Sequence, residues 1–172
     1  MQPIWNKLRH IFEHDDHGTL PEIFIEPLTG AETVEMYRNV MSQAEILDDP
    51  MAWTIPEEHG IPLKQLNNAA ELVVEGKILS LSHGLADLKI RDVTLPQLNI
   101  WVQPGAVSFD YRMGPEWGPN EVEALFEFLW GLVQNIPTAK VFRAEEGCYF
   151  EPTEEFTRVW NEYAGLRRQR EV

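Results

Sequence analysis

Cysteine is nearly absent from this chain: Cys148 stands alone among 172 residues, so no internal disulfide can form. No Asn-x-Ser/Thr sequon occurs either, which removes one mark of a secreted protein. The longest apolar runs, such as Leu129 to Val133, fall far short of the roughly 18 residues needed to span a bilayer. Lys7, Arg9 and His10 interrupt the first fourteen residues, where a signal peptide would hold an unbroken apolar stretch. Together these lacks point to a cytoplasmic protein without a membrane span. The motifs that announce cofactor chemistry are missing as well. There is no G-x-G-x-x-G, no G-x-x-x-x-G-K-[ST], no C-x-x-C and no EF-hand spacing, and so no cofactor is expected.

What the chain has in excess is negative charge. Twenty-eight acidic residues against fourteen Lys and Arg leave a net charge of −14, outside the magnitude of about 2–8 usual for a small domain. Such a field repels phosphate backbones and anionic lipid surfaces and attracts basic proteins. Nucleic acid and membrane are therefore excluded as partners, and a basic protein is favoured. The competing reading of the same charge is that it only keeps molecules apart in solution.

The length suits one domain spanning 1–172, and a 44% hydrophobic content provides a core without staples. From Pro3 to His14, Ile4, Trp5, Leu8, Ile11 and Phe12 share a helical stripe, with Pro3 at the first helical position. Glu22 to Glu26 reads as a strand. Thr29 and Glu32 form a capping box that opens a helix bearing Val34, Tyr37, Val40, Met41 and Ala44. A short strand fits Ala52-Trp53-Thr54. Leu63 to Glu75 fits a helix capped by Gly76, while Leu72 to Leu81 also fits a hairpin; a short helix giving way to strands is favoured.

Leu88 and Ile90 alternate with polar residues, as do Leu98, Ile100 and Val102, and then Val107, Phe109 and Tyr111. Pro104-Gly105 suits a type II turn that pairs Val102 with Val107, Ile100 with Phe109 and Leu98 with Tyr111. Asn120, with Glu123, is expected to cap a helix whose stripe is Val122, Leu125, Phe126, Leu129, Val133 and Ile136. Ala139 to Ala144 and Cys148 to Glu151 read as strands, Cys148 being a small buried residue of the second. Thr153 opens a last helix with Phe156, Val159, Trp160 and Tyr163 facing inward. This order predicts an α+β fold, an antiparallel sheet with helices packed on one face.

Few residues suggest catalysis. His10-Ile11-Phe12-Glu13-His14 matches the H-x-x-E-H pattern of inverted zinc peptidases, and His17 with Asp15 or Asp16 would enlarge the cluster into an adventitious metal site. A solvated helix end accounts for the same residues, and a catalytic zinc needs a third ligand and a dry cleft. Ser82 and His83 are adjacent on an extended chain and so point opposite ways.

Surface features say more. On the hairpin, Trp101 falls on the polar face with Asp110 and Arg112 nearby, and Trp117 follows Glu116 in a loop between prolines. Aromatics of this kind are enriched at the energetic centre of interfaces. The opposing reading has a helix covering Trp101 and Trp117 plugging the hairpin end. Glu116, Glu145 and Glu146 add carboxylates in the same third of the chain. The sequence thus predicts a non-catalytic acidic protein-binding domain, for example an immunity- or antitoxin-type inhibitor of a basic toxin. Its surface would comprise Trp101, Asp110, Arg112, Glu116, Trp117, Glu145 and Glu146. The alternatives are a small metal-dependent hydrolase using the His10/Glu13/His14 cluster, and a structural assembly or adaptor subunit.

Overall fold

Alternating apolar residues build the centre of the molecule. In a computed structural model, which describes residues 4–14, 18–55 and 59–170, they line one face of a six-stranded antiparallel sheet. The strands are β1 (Glu22–Glu26), β2 (Glu45–Ile46), β5 (Leu81–Ala86), β8 (Leu98–Gln103), β9 (Ala106–Tyr111) and β10 (Lys140–Ala144). They lie side by side in the order β10-β1-β9-β8-β5-β2. The β8–β9 register is the predicted one, with Val102 opposite Val107, Ile100 opposite Phe109 and Leu98 opposite Tyr111. Gly105 has φ +84°, the conformation a type II turn demands at that position.

Two small ribbons stand outside the main sheet: β3 (Met51–Trp53) with β4 (Gly60–Pro62), and β6 (Lys89–Ile90) with β7 (Val93–Thr94). The alternation at Leu88 and Ile90 therefore belongs to a local ribbon. Of the alternatives for 63–81, the helical one is present: a 3-10 turn at Leu63–Gln65, then α3 (Ala69–Val74), closed by Gly76 at φ +70°.

The N-terminal stripe forms α1 (Ile4–Leu8) and a 3-10 turn at Arg9–Ile11, shorter than the helix expected. Pro3, Asp15, Asp16 and His17 lie outside the described residues. The Thr29 capping box is formed in both directions and starts α2 (Gly30–Met41). Helix α4 (Pro119–Val133) begins two residues earlier than a cap at Asn120 would place it. Gly118 is the N-cap and Pro119 the first helical residue, where its fixed φ and missing N–H cost nothing. Helix α5 is Glu154–Arg170.

The helices take the apolar face. Ile23, Ile25, Ile100, Val102, Val107 and Phe109 are fully buried beneath them. Helix α4 is the centre of the helical layer and is buried nearly all round. Its Phe128 meets Phe109 of the sheet edge-on at 5.3 Å, while Phe126 on its other side packs against Phe156, Trp160 and Tyr163 of α5. The fold is α+β with helices on one face of the sheet, as the element order predicted.

One expected strand is missing. Residues 148–151 form a turn instead, in which the Cys148 amide donates to Glu145 O (2.9 Å) and the Glu151 amide to Cys148 O (2.8 Å). Gly147, at φ +74°, turns the chain out of the sheet direction. Cys148 is consequently exposed, not buried.

Candidate functional site

Because side chains alternate across a strand, burying Ile23, Ile25, Val107 and Phe109 sends Glu22, Phe24, Ser108 and Asp110 to the opposite face. Cross-strand register then fixes who meets whom. One row runs Phe142, Phe24, Ser108, Trp101, Ser82, and the next runs Ala144, Glu22, Asp110, Asn99, Gly84. Among the described residues no helix covers these rows.

Asp110 is the hub. It is only 6% exposed, yet its carboxylate accepts from Trp101 Nε1 at 2.7 Å and from Asn99 Nδ2 at 2.6 Å. The first of these bonds fixes the Trp101 indole, which remains 36% exposed. Directly across from Asp110 on β1 lies Glu22, which accepts from the Ser108 hydroxyl. Burial pushes the Glu22 carboxyl above its ordinary range. The Ser108 hydrogen bond opposes that rise, and the Asp110 charge adds to it. Like charges set opposite each other on adjacent strands repel.

Asp110, Arg112 and Glu116 line one cleft of about 530 Å³ together with Asn99, Leu20, Gln97 and Met113. Leu20 links the cleft to the β10–α5 loop, because its amide donates to the Glu146 carboxylate at 3.0 Å. Trp101, Asp110, Arg112, Glu116 and Glu146 are thus brought into one continuous region, but Asp110, expected at the surface, is buried beneath it because its carboxylate is spent on Trp101 and Asn99. Glu145 is the next residue along the loop, and its carboxylate takes a 2.7 Å bond from the buried Arg143.

Trp117 is a correction. It is 2% exposed, with its ring 5.0 Å from Phe12 and 5.3 Å from Tyr111, and its Nε1 donates to Arg112 O at 2.7 Å. The Phe12 segment packs over the loop and seals the indole inside. It supports the cleft from beneath and offers no surface to a partner.

Further aromatics stand on the open face. Phe24 and Phe142 stack across β1 and β10 with centroids 5.1 Å apart. Tyr149 packs edge-on against Phe24 at 5.1 Å, and its hydroxyl donates to Glu26. Phe150 touches Tyr149 at 4.9 Å and is 90% exposed. The signal in the sequence is a Tyr149-Phe150 pair two residues after Gly147 in an acidic stretch.

The residues considered for chemistry are otherwise engaged. His10 Nε2 lies 3.1 Å from Glu155, and Glu13 is bound by Arg9. Among the described residues no three His, Cys, Asp or Glu side chains are grouped to hold a metal ion. Ser82 faces outward opposite Trp101, whereas His83 faces inward, 6% exposed. The His83 Nδ1 lies 2.8 Å from Gly84 O and can only donate there, which leaves Nε2 to accept from the Tyr37 hydroxyl at 3.1 Å. Among the described residues no helix is long and apolar enough to cross a membrane.

No family model matches the chain, and no curated protein matches it. Among solved structures it is similar to a chain in the crystal structure of the toxic C-terminal tip of CdiA from Pseudomonas aeruginosa in complex with immune protein. That likeness covers 75% of this chain and 87% of the other, at 14% identity and a TM-score of 0.46. A Pseudomonas aeruginosa T6SS protein is similar over 82% of this chain and 48% of its own, at 10% identity and a TM-score of 0.36. At that distance neither likeness carries functional meaning.

Proposed function

We propose that this chain is a non-catalytic protein-binding domain of the inhibitor or immunity type, which engages a basic protein through the open face of its sheet. The observation that carries this reading is the Asp110 hub. A buried carboxylate held by Asn99 and Trp101, opposite a second carboxylate at Glu22, fixes an exposed indole on the helix-free face. Cations of the partner meet Glu22, Glu116 and Glu146, while the buried Asp110 holds Trp101 in place to supply aromatic area. Net charge of −14 speeds the encounter, and the rigid hairpin keeps its ordering cost low.

The test is kinetic. Basic proteins retained from the host lysate on immobilised chain are purified and their association followed at rising ionic strength. The association rate should fall steeply as charges are screened beyond about 10 Å at 0.1 M salt. Trp101→Ala should raise the dissociation rate. An association rate flat in salt, together with a dissociation rate indifferent to Trp101→Ala, would defeat the reading.

A further inference from the structure

We infer that the Tyr149–Phe150 knob is a second anchor on the same face, built to take an arginine-bearing segment of the basic partner; this rests on the reading above. Phe150 contributes almost nothing to the core, being 90% exposed with its ring against Tyr149. A single exposed phenylalanine is ordinary. Here, however, it caps a continuous ledge of rings, since Tyr149 lies on Phe24 and Phe142, which stack on each other.

The ledge is held in shape before anything binds. Turn bonds fix Cys148 and Glu151, and the Thr153 amide donates to Arg143 O at 2.7 Å. The Glu146 carboxylate is tied to the Leu20 amide, the Glu145 carboxylate to Arg143, and the Tyr149 hydroxyl to Glu26. Preorganisation of this kind lowers the ordering cost of binding.

The rim is acidic. Glu146 and Glu151 are exposed in the turn that carries the knob, and Glu26 lies beneath Tyr149, with Lys140 opposite Glu26 as the cation on the adjoining strand. Aromatic faces bordered by carboxylates suit arginine above lysine. A guanidinium stacks flat on a ring while its fork of donors reaches carboxylate oxygens, whereas an ammonium on its flexible stem fits neither as well.

Random displayed peptides of twelve residues, panned on the wild-type chain, test this. Enriched peptides should carry arginine, and the corresponding synthetic peptides should lose about thirtyfold or more in affinity to the Phe150→Ala chain, as hot-spot truncations do. Replacing their arginines by lysine should weaken them comparably. An unchanged unfolding midpoint for Phe150→Ala would establish that the variant is folded. The inference is overturned if nothing enriches, if arginine is absent from the enriched peptides, or if Phe150→Ala binds within about threefold of wild type. Arginine peptides retained by Phe150→Ala but lost by Trp101→Ala would overturn the knob while leaving the Asp110 docking face standing. Enrichment of acidic peptides would remove both.

Discussion

Arg143 Nε donates to the Tyr111 hydroxyl over 2.7 Å, and that hydroxyl donates onward to Ile11 O at 3.0 Å. The chain of bonds runs from edge strand β10, past β1, to β9 and the N-terminal segment. Arg143 is fully buried on the helix side of the sheet, with Glu145 and Thr153 as further partners and no protein partner for Nη2 among the described residues. Burial raises the Tyr111 hydroxyl pKa to about 12, Arg143 offsetting part of that rise, so the phenol stays protonated and donates.

Tyr111→Phe should therefore destabilise the protein by about 2–4 kcal/mol, because a buried guanidinium loses an acceptor and Ile11 O loses its donor. Urea unfolding measures this. Adding Arg143→Met to Tyr111→Phe should cost less than the sum of the two single changes, since the second substitution removes the uncompensated charge.

Trp117 and Phe150 make opposite predictions from the same residue class. Trp117→Ala empties a site enclosed by Phe12 and Tyr111 and should cost about 3–5 kcal/mol. Phe150→Ala should change stability by no more than about 0.5 kcal/mol. Thermal or urea unfolding of the two variants side by side checks this. A large loss for Phe150→Ala would mean that its ring is packed in solution.

Glu22 should weaken the fold at neutral pH. Its pKa is raised in the folded state, so the native chain holds a proton more tightly there than the unfolded chain does. Stability then falls as pH rises from the ordinary glutamate range through the folded pKa, and the cost is fully present above it. Glu22→Gln should be more stable than wild type at pH 7 and equal to it in acid below both values. Unfolding midpoints measured across pH decide the matter.

His83 runs the other way. Burial lowers its pKa below the ordinary 6.5, with the Gly84 carbonyl opposing the shift. The unfolded chain therefore binds the proton first. The stabilising contribution is whole above pH 6.5 and is lost as pH falls through the folded value. His83→Gln should flatten that part of the pH–stability curve. If the curve is unchanged, His83 is not the group titrating.

The β8–β9 hairpin was readable because period-two alternation and Pro104-Gly105 specify register locally. The capping box at Thr29 was readable for the same reason, since both partners lie within four residues. Trp117 was not, because its burial depends on Phe12, more than a hundred residues earlier. The aromatic ledge was hidden for a related reason. Phe24 meets Phe142 only because β1 inserts between β9 and β10, an order that no local pattern encodes. Residues 148–151 misled in the opposite direction. Cys-Tyr-Phe has strand-like composition, yet Gly147 turns it out of the sheet and its rings find Phe24 instead of a neighbouring backbone.

The turn that carries Cys148 outward has a practical sequel. The chain's one thiol is solvent-accessible and sits next to Tyr149 and Phe150, so a fluorophore or spin probe can be coupled there with no engineered cysteine to report directly on whatever approaches that corner. The same accessibility leaves the thiol open to air oxidation, so such labelling calls for reductant up to the coupling step.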